Sequence, residues 1–116
     1  MIAHVILFRP KHDLAEADRE RLFDAMRDAH RSISAIGRFV VGRRIRNGRP
    51  YEALTRDFPF FALLEFATAG DFNSYLSHPV HEELGARFYM TSETAEAYDY
   101  EIGDVPAAIA SLVPAV

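Results

Sequence analysis

The sequence predicts an α+β domain in which helices cover one face of a four-stranded antiparallel sheet, in the order βαββαβ. Four short runs rich in aliphatic and aromatic residues have the composition of strands. Two segments, beginning near Asp13 and Thr68, have the capping residues and periodicity of helices, and Pro79 interrupts the second. A chain of 116 residues is long enough for one such domain with a single hydrophobic core.

The first strand is predicted at residues 3–8, an apolar run that ends before Arg9 and Pro10. Apolar side chains alternate to both sides of this strand, which is the pattern expected when both faces of a sheet are covered. His4 is the one polar residue within the run. It is therefore either a buried, hydrogen-bonded histidine or a functional group that faces a cavity.

The first helix is predicted to begin at residues 13–16, whose sequence is that of a capping box. Asp13 can accept hydrogen bonds from free backbone N–H groups, and Glu16 follows three residues later. The helix is expected to end near residues 34–37. Its apolar residues recur at helical spacing opposite a charged side, so it should bury one stripe. That stripe consists of Leu22, Met26, Ala29 and Ile33.

The second and third strands are predicted at residues 38–45 and 59–66. Gly42 marks either a bulge or a close approach within the second strand. Asn47-Gly48 predicts a turn, and residues 49–57 are expected to form a long loop because they follow neither the helical nor the strand period.

The second helical segment is predicted in two pieces, the first of which begins with a capping box at Thr68. Pro79 fits the first position of the second piece, where its missing N–H would have no partner in any case. His78 then becomes the N-cap, and His81 lies in the first turn. Tyr75, one turn earlier on the preceding helix, is expected to face the same space.

The second piece is expected to run to about residue 89, with Leu84 and Phe88 on its apolar side. Alternation over residues 94–101 predicts the fourth strand. A last short apolar helix is predicted to begin at residues 104–106 and to be closed by Pro114.

This order of elements is the ferredoxin-like pattern, and it leaves the second face of the sheet without helices. Because the strands are apolar on both sides, that face also needs a cover. A second copy of the same sheet provides it most simply, so the sequence predicts a homodimer that associates through its sheet faces.

Composition excludes several function classes. The chain has no cysteine, which rules out disulfides, thiolate catalysis and cysteine-bound metal. A net charge of −4 argues against a nucleic-acid-binding domain, although five arginines lie close together at positions 38, 43, 44, 46 and 49. No apolar run approaches the roughly 20 residues that a membrane span needs, and no signal peptide is evident, so we expect a cytoplasmic protein that does not bind membranes.

Three segments together carry a family resemblance: residues 1–8 with their histidine, the motif Tyr-x-x-His-Pro-x-His at residues 75–81, and Tyr-Asp-Tyr at residues 98–100. They resemble the stress-responsive α/β-barrel domain, a family of dimeric ferredoxin-like proteins. The resemblance covers residues 1–102. Residues 103–116 extend beyond the family pattern and are predicted to be a C-terminal extension containing the short apolar helix.

The resemblance implies a dimer whose two sheets meet in a barrel, with a pocket for a small hydrophobic ligand between sheet and helices in each subunit. A characterised polyketide cyclase of this family performs an aldol condensation with a tyrosine and the second histidine of the motif, without a cofactor. Those catalytic roles fall on Tyr75 and His81. The predicted substrate-binding residues are His4, His78, Phe8, Phe72 and Phe88, and no metal site is predicted.

The residue types fit this chemistry. His81 can act as a general base, because imidazole titrates near neutral pH. The helix N-terminus favours its neutral form, whereas Glu82 and Glu83 oppose this, and the sequence leaves the balance open. Tyr75 can donate a hydrogen bond to a carbonyl oxygen as it becomes negative. The predicted reaction class is a cyclisation, isomerisation or lyase reaction by proton abstraction next to a carbonyl.

Each of these residues also has a purely structural interpretation. His78 before proline is typical of a helix cap, and Tyr75 is typical of a core aromatic residue. A metal site formed by His78, His81 and Glu82 lacks a third well-spaced ligand. The alternative function is a non-catalytic small-molecule-binding or stress-associated dimer, in which the motif serves to hold the broken helix together.

Overall fold

A computed structural model describes residues 1–112. Its elements are β1 (Ile2–Pro10), α1 (Glu16–Ser32), β2 (Arg38–Arg43), a 3-10 helix (Pro50–Leu54), β3 (Phe60–Phe66), α2 (Ala69–Leu76), α3 (Pro79–Thr91), β4 (Ser92–Glu101) and α4 (Val105–Leu112). The predicted order βαββαβ, with a broken second helix and a short final helix, is confirmed. The predicted closure of that last helix at Pro114 lies outside the described residues.

The four strands form one antiparallel sheet in the order β2-β3-β1-β4, as the ferredoxin-like pattern requires. β1 is central and pairs with β3 on one side and with β4 on the other. In this register His4 lies between Leu64 of β3 and Asp99 of β4. The register therefore brings residues from the two ends of the chain side by side.

The helices pack on one face of the sheet and form the core there. Along β3 the side chains alternate, because Ala62, Leu64 and Phe66 are buried whereas their neighbours are only half-buried. The helices contribute Leu22, Ala25, Ala29, Ile33, Tyr75, Leu84 and Phe88 to the same core. Three of the four residues of the predicted α1 stripe, Leu22, Ala29 and Ile33, are fully buried, and the fourth, Met26, packs against them.

The start of α1 differs from the prediction. The helix begins at Glu16, and its N-cap Ala15 provides no side-chain hydrogen bond, so the capping box at Asp13 is wrong. A tertiary contact explains the shift. The Lys11 N–H donates to the Thr91 carbonyl at 2.8 Å, and the next two residues form a turn, so the chain needs a further extended stretch before it enters the helix. The cap at Thr68 is confirmed, with its hydroxyl accepting from the Asp71 N–H at 3.0 Å.

Gly42 is a point of close approach rather than a bulge. It stays in register with Phe61, and a Cβ at this position would collide with the Phe61 ring. The adjoining loop is more ordered than predicted, because it contains the 3-10 helix and is held by Asp57. That carboxylate pairs with Arg44 at 3.0 Å and with Arg46 at 2.8 Å.

The face of the sheet opposite the helices carries apolar side chains that remain accessible. Val40, Leu63, Val5 and Tyr98 form a row across all four strands, and each is half-buried or exposed. The apolar second face deduced from the sequence is therefore present. Within residues 1–112, no helix combines the length and apolar character that crossing a membrane would require.

Candidate functional site

An open groove of about 520 Å³ lies between α3 and β4, and we call it the α3–β4 groove. The side chains of Ala95 and Ala97 on β4 are exposed although they point to the helix side of the sheet, because α3 does not extend over them. Small side chains on the strand thus leave the space that the groove occupies. Its lining consists of His4, Ile6, Tyr75, His81, Leu84, Gly85, Phe88, Tyr89, Ser92, Glu93, Thr94, Ala95 and Ala97.

The break between α2 and α3 places two of the candidate catalytic residues together. Pro79 occupies the first position of α3, and the Nδ1 atom of His78 accepts a hydrogen bond from the Val80 N–H at 3.1 Å. The new helix axis brings His81 back against the end of α2. The rings of Tyr75 and His81 meet edge to face, with centroids 4.6 Å apart.

His4 is fixed by a carboxylate that the sequence analysis did not include among the site residues. The Nδ1 atom of His4 is hydrogen-bonded to Oδ1 of Asp99, its partner in the β1–β4 ladder. The His4 ring also lies 6.0 Å from the Tyr75 ring, between centroids. His4, Tyr75 and His81 therefore lie together at one end of the groove, and the Asp99 carboxylate is hydrogen-bonded to His4.

The environment sets the protonation states of the two candidate catalytic groups. Burial raises the pKa of the Tyr75 phenol far above its usual 10.0, and the nearby Asp99 charge adds to this effect. Tyr75 therefore remains a hydrogen-bond donor throughout the neutral range. Burial lowers the pKa of His81 below 6.5, as does the charge of His4.

Two opposing influences on His81 are outweighed. A hydrogen bond to the Leu76 carbonyl and the Glu82 charge both raise its pKa, but the net direction is downward. The balance that the sequence left open therefore favours the neutral imidazole, which is the form able to accept a proton.

The structure places four of the seven predicted site residues in the groove lining: His4, Tyr75, His81 and Phe88. The other three lie outside the lining. His78 caps α3, and Phe72 packs between the Phe66, Tyr75 and His4 rings. Phe8 contacts Phe88 edge to face at 5.0 Å and faces a different cavity. Within residues 1–112, no three histidine, aspartate or glutamate side chains are grouped so as to hold a metal ion.

Ser92 is a further polar residue that sequence reasoning missed. It begins β4 and lines the groove, and its buried hydroxyl has no hydrogen-bond partner within residues 1–112. Its burial depends on how α3 ends against the sheet, so local sequence carried no signal for it.

These features define a class: a ferredoxin-like α+β domain with an open groove in which a neutral histidine adjoins a protonated tyrosine. Comparison with known proteins identifies the family within this class. Residues 2–102 match the Stress responsive A/B Barrel Domain, and the chain belongs to this family. No functionally curated protein matches the chain.

Several solved structures share the fold. The hydroxynitrile lyase of Passiflora edulis is 15% identical with a TM-score of 0.74, and the match covers 90% of this chain and 94% of the lyase. SnoaB, a cofactor-independent oxygenase from Streptomyces nogalater, is 17% identical with a TM-score of 0.64, covering 90% and 96%. A dimeric ferredoxin-like protein of unknown function from Thermobifida fusca is 17% identical with a TM-score of 0.67, covering 87% and 90%.

Proposed function

We propose that the α3–β4 groove binds a small hydrophobic carbonyl compound and catalyses proton abstraction next to its carbonyl, without a cofactor. A cyclisation, isomerisation or lyase reaction would follow from that step. The observation that carries the proposal is the 4.6 Å contact between the His81 and Tyr75 rings inside an accessible groove, with the two pKa values displaced in opposite directions. Pairs of groups whose environments separate their pKa values are typical of acid–base sites.

In this mechanism His81 is the general base. Its neutral imidazole takes the proton from the carbon next to the carbonyl, and the electron pair moves to the carbonyl oxygen. Tyr75 donates a hydrogen bond to that oxygen as it becomes negative, and the high pKa of the phenol keeps the proton on Tyr75. Leu84 and Phe88 provide an apolar wall for the body of the substrate.

The His4–Asp99 pair has a positioning role in this proposal. Because Asp99 engages Nδ1, the His4 ring is held beside Tyr75, where its Nε2 atom is the remaining nitrogen for a ligand. Phe8 and Phe72 support this arrangement from behind, by packing on Phe88 and on His4.

The assembly and organisation that we propose are those predicted from the sequence. Solved neighbours from Bacteroides fragilis and Thermobifida fusca are described as dimeric, which supports a homodimer formed through the accessible sheet faces. We assign the catalytic domain to residues 1–102 and treat residues 103–116 as an extension. A cytoplasmic location remains part of the proposal.

The neighbours also support a role in small-molecule chemistry. One is named a hydroxynitrile lyase and another a cofactor-independent oxygenase, so this fold carries more than one reaction.

A second candidate function is a non-catalytic small-molecule-binding dimer. Its support is that the motif residues also hold the structure together, since His78 caps α3 and Tyr75 is only 1% exposed. In that case the groove binds a ligand without accelerating any reaction.

The test is proton exchange in D₂O, because abstraction next to a carbonyl replaces hydrogen by deuterium whether or not a later step follows. A panel of aryl alkyl ketones and β-diketones would be incubated with the protein, and deuterium incorporation measured by NMR. His81→Gln should lower the exchange rate by roughly 100-fold or more while preserving the thermal unfolding midpoint. His30→Gln is the matched control, because His30 is an exposed histidine on α1 outside the groove.

The outcome also separates the two candidate functions. Ketone binding detected by NMR, with no exchange above that of the His81→Gln variant, would support the binding dimer and refute catalysis. A large loss of stability in His81→Gln would show that the residue is structural.

A further inference from the structure

A second and larger cavity, of about 730 Å³, lies between α1 and β2. We call it the α1–β2 cavity. It shares no lining residue with the α3–β4 groove. Phe8 lines the cavity and Phe88 lines the groove, and the edge-to-face contact of their rings forms the partition between the two spaces. The cavity is therefore a separate site, independent of the proposed catalytic function.

The interior of the α1–β2 cavity is apolar. Phe8 and Leu22 are buried at its base, whereas Phe23, Phe60 and Val41 present 39%, 36% and 59% of their surfaces to solvent. Large apolar side chains that converge on one open concavity are typical of a ligand site, and the volume lies within the range of such sites.

The rim of the same cavity is cationic. Lys11, Arg19 and Arg43 line it together with His12, and no aspartate or glutamate does. Within residues 1–112, none of the three cations forms an ion pair, although eight other arginines do. Unpaired positive charge concentrated at one opening is notable in a chain whose net charge is −4.

The α1–β2 cavity has an apolar interior and a cationic rim, which together fit an amphipathic anion. We propose that the α1–β2 cavity binds a hydrophobic carboxylate, with its chain or ring against Phe8, Leu22 and Met26 and its carboxylate at Lys11, Arg19 and Arg43. An uncharged molecule would leave the cations without partners, whereas a small hydrophilic anion would leave the apolar surface exposed.

Four of the five clustered arginines at positions 38–49 now have a structural setting. Arg38 pairs with Glu65, and Arg44 and Arg46 pair with Asp57, so these three arginines stabilise the sheet edge and the adjoining loop. Arg43 has no such partner within residues 1–112 and lines both the α1–β2 cavity and a smaller neighbouring pocket next to Arg44.

The experiment is a titration of the full-length protein with decanoate, followed by amide NMR shifts and calorimetry, with 1-decanol as the uncharged probe. Decanoate should bind with its largest shifts at the amides of Phe23, Val41 and Arg43. Arg43→Gln should weaken binding by about 3-fold, and the triple variant Lys11→Gln, Arg19→Gln, Arg43→Gln by at least about 10-fold, as exposed charge pairs allow. 1-Decanol should bind more weakly than decanoate and be unaffected by these substitutions.

Two further variants locate the site. Arg21→Gln also removes one positive charge from α1, but Arg21 lines neither the α1–β2 cavity nor the α3–β4 groove. This variant should therefore leave the affinity for decanoate unchanged. Val41→Trp fills the mouth of the cavity from an exposed strand position and should abolish binding without unfolding the protein.

Several results would overturn the proposal. These are no decanoate binding at about 1 mM, equal affinity for 1-decanol, equal weakening by Arg21→Gln, or the largest shifts at Gly85 and Ala97 in the groove. His81→Gln separates this proposal from the proposed function. Because His81 lines the α3–β4 groove and not the α1–β2 cavity, decanoate should still bind to this variant, so the two proposals can fail independently.

Discussion

Asp99 shows what a single residue contributes to the candidate site. It lies 95 positions from His4 in sequence, yet it engages His4 Nδ1 and its charge raises the pKa of Tyr75. In the sequence, Asp99 is distinguished only as part of the Tyr-Asp-Tyr segment. Its role depends on the β1–β4 register, which pairs His4 with Asp99, and no local pattern specifies that register. The motif residues could be predicted because their spacing is local, whereas their partner could not.

The lowered pKa of His81 predicts the acid side of the pH–rate profile. Only the neutral imidazole accepts a proton, so deuterium exchange should stay constant as the pH falls through 6.5 and decrease only at lower pH. Because Glu82 raises the pKa of His81, Glu82→Gln should move this decrease to still lower pH. Glu83→Gln is the control, since Glu83 is engaged with Arg87 at 2.7 Å.

The same shift has a consequence for stability. The unfolded chain binds a proton at His81 near pH 6.5, whereas the folded chain binds it only at lower pH. The free energy of unfolding should therefore decrease as the pH falls below 6.5.

For the pH–rate profile, two results would contradict the assignment of His81 as the base. These are a decrease in deuterium exchange that begins above pH 6.5, or one that Glu82→Gln moves to higher pH.

The α2–α3 junction is the element that organises the groove. Here the sequence was informative, because a proline at the first helical position and a preceding cap are local signals, and both are confirmed. The first residue of α1 could not be predicted from local signals. A tertiary contact, the hydrogen bond between Lys11 and Thr91, moves the start of the helix along the chain. The α3–β4 groove could not be predicted from the sequence either, because it depends on how far α3 extends over β4.

The cap at His78 predicts a measurable cost. His78→Ala leaves the Val80 N–H without its acceptor, and the free energy of unfolding should decrease by about 1 kcal/mol, as for other N-cap losses. His78→Asn keeps an acceptor that N-caps favour and should restore most of that stability in urea denaturation. Because His78 lies outside the groove lining, exchange at saturating substrate should change little in either variant. Loss of exchange in His78→Asn without loss of stability would give His78 a chemical role.

At the scale of the whole molecule, the accessible sheet face is the feature that a single chain leaves unexplained. The row of Val40, Leu63, Val5 and Tyr98 crosses its centre. Charged groups lie in the two neighbouring rows of the same face: Arg38 and Glu65 pair in one, and Glu96 in the other pairs with Arg56. An apolar band between polar margins is typical of a protein interface, and identical faces can be paired by a two-fold axis.

Leu63 lies in the middle of this band, so Leu63→Lys should place two like charges at the centre of the proposed dimer interface. We expect the parent protein to sediment at micromolar concentration with twice the 13.1 kDa chain mass, and the variant to sediment as a monomer. Met90→Lys is the matched control, because it adds the same charge at an exposed position on α3, on the other side of the sheet, and should remain dimeric. A single chain carries His4, Tyr75 and His81 of the α3–β4 groove, so the Leu63→Lys monomer should retain measurable exchange as long as it is folded. A monomeric parent protein, or a Leu63→Lys variant that remains dimeric, would place the interface elsewhere and leave the apolar row without a cover.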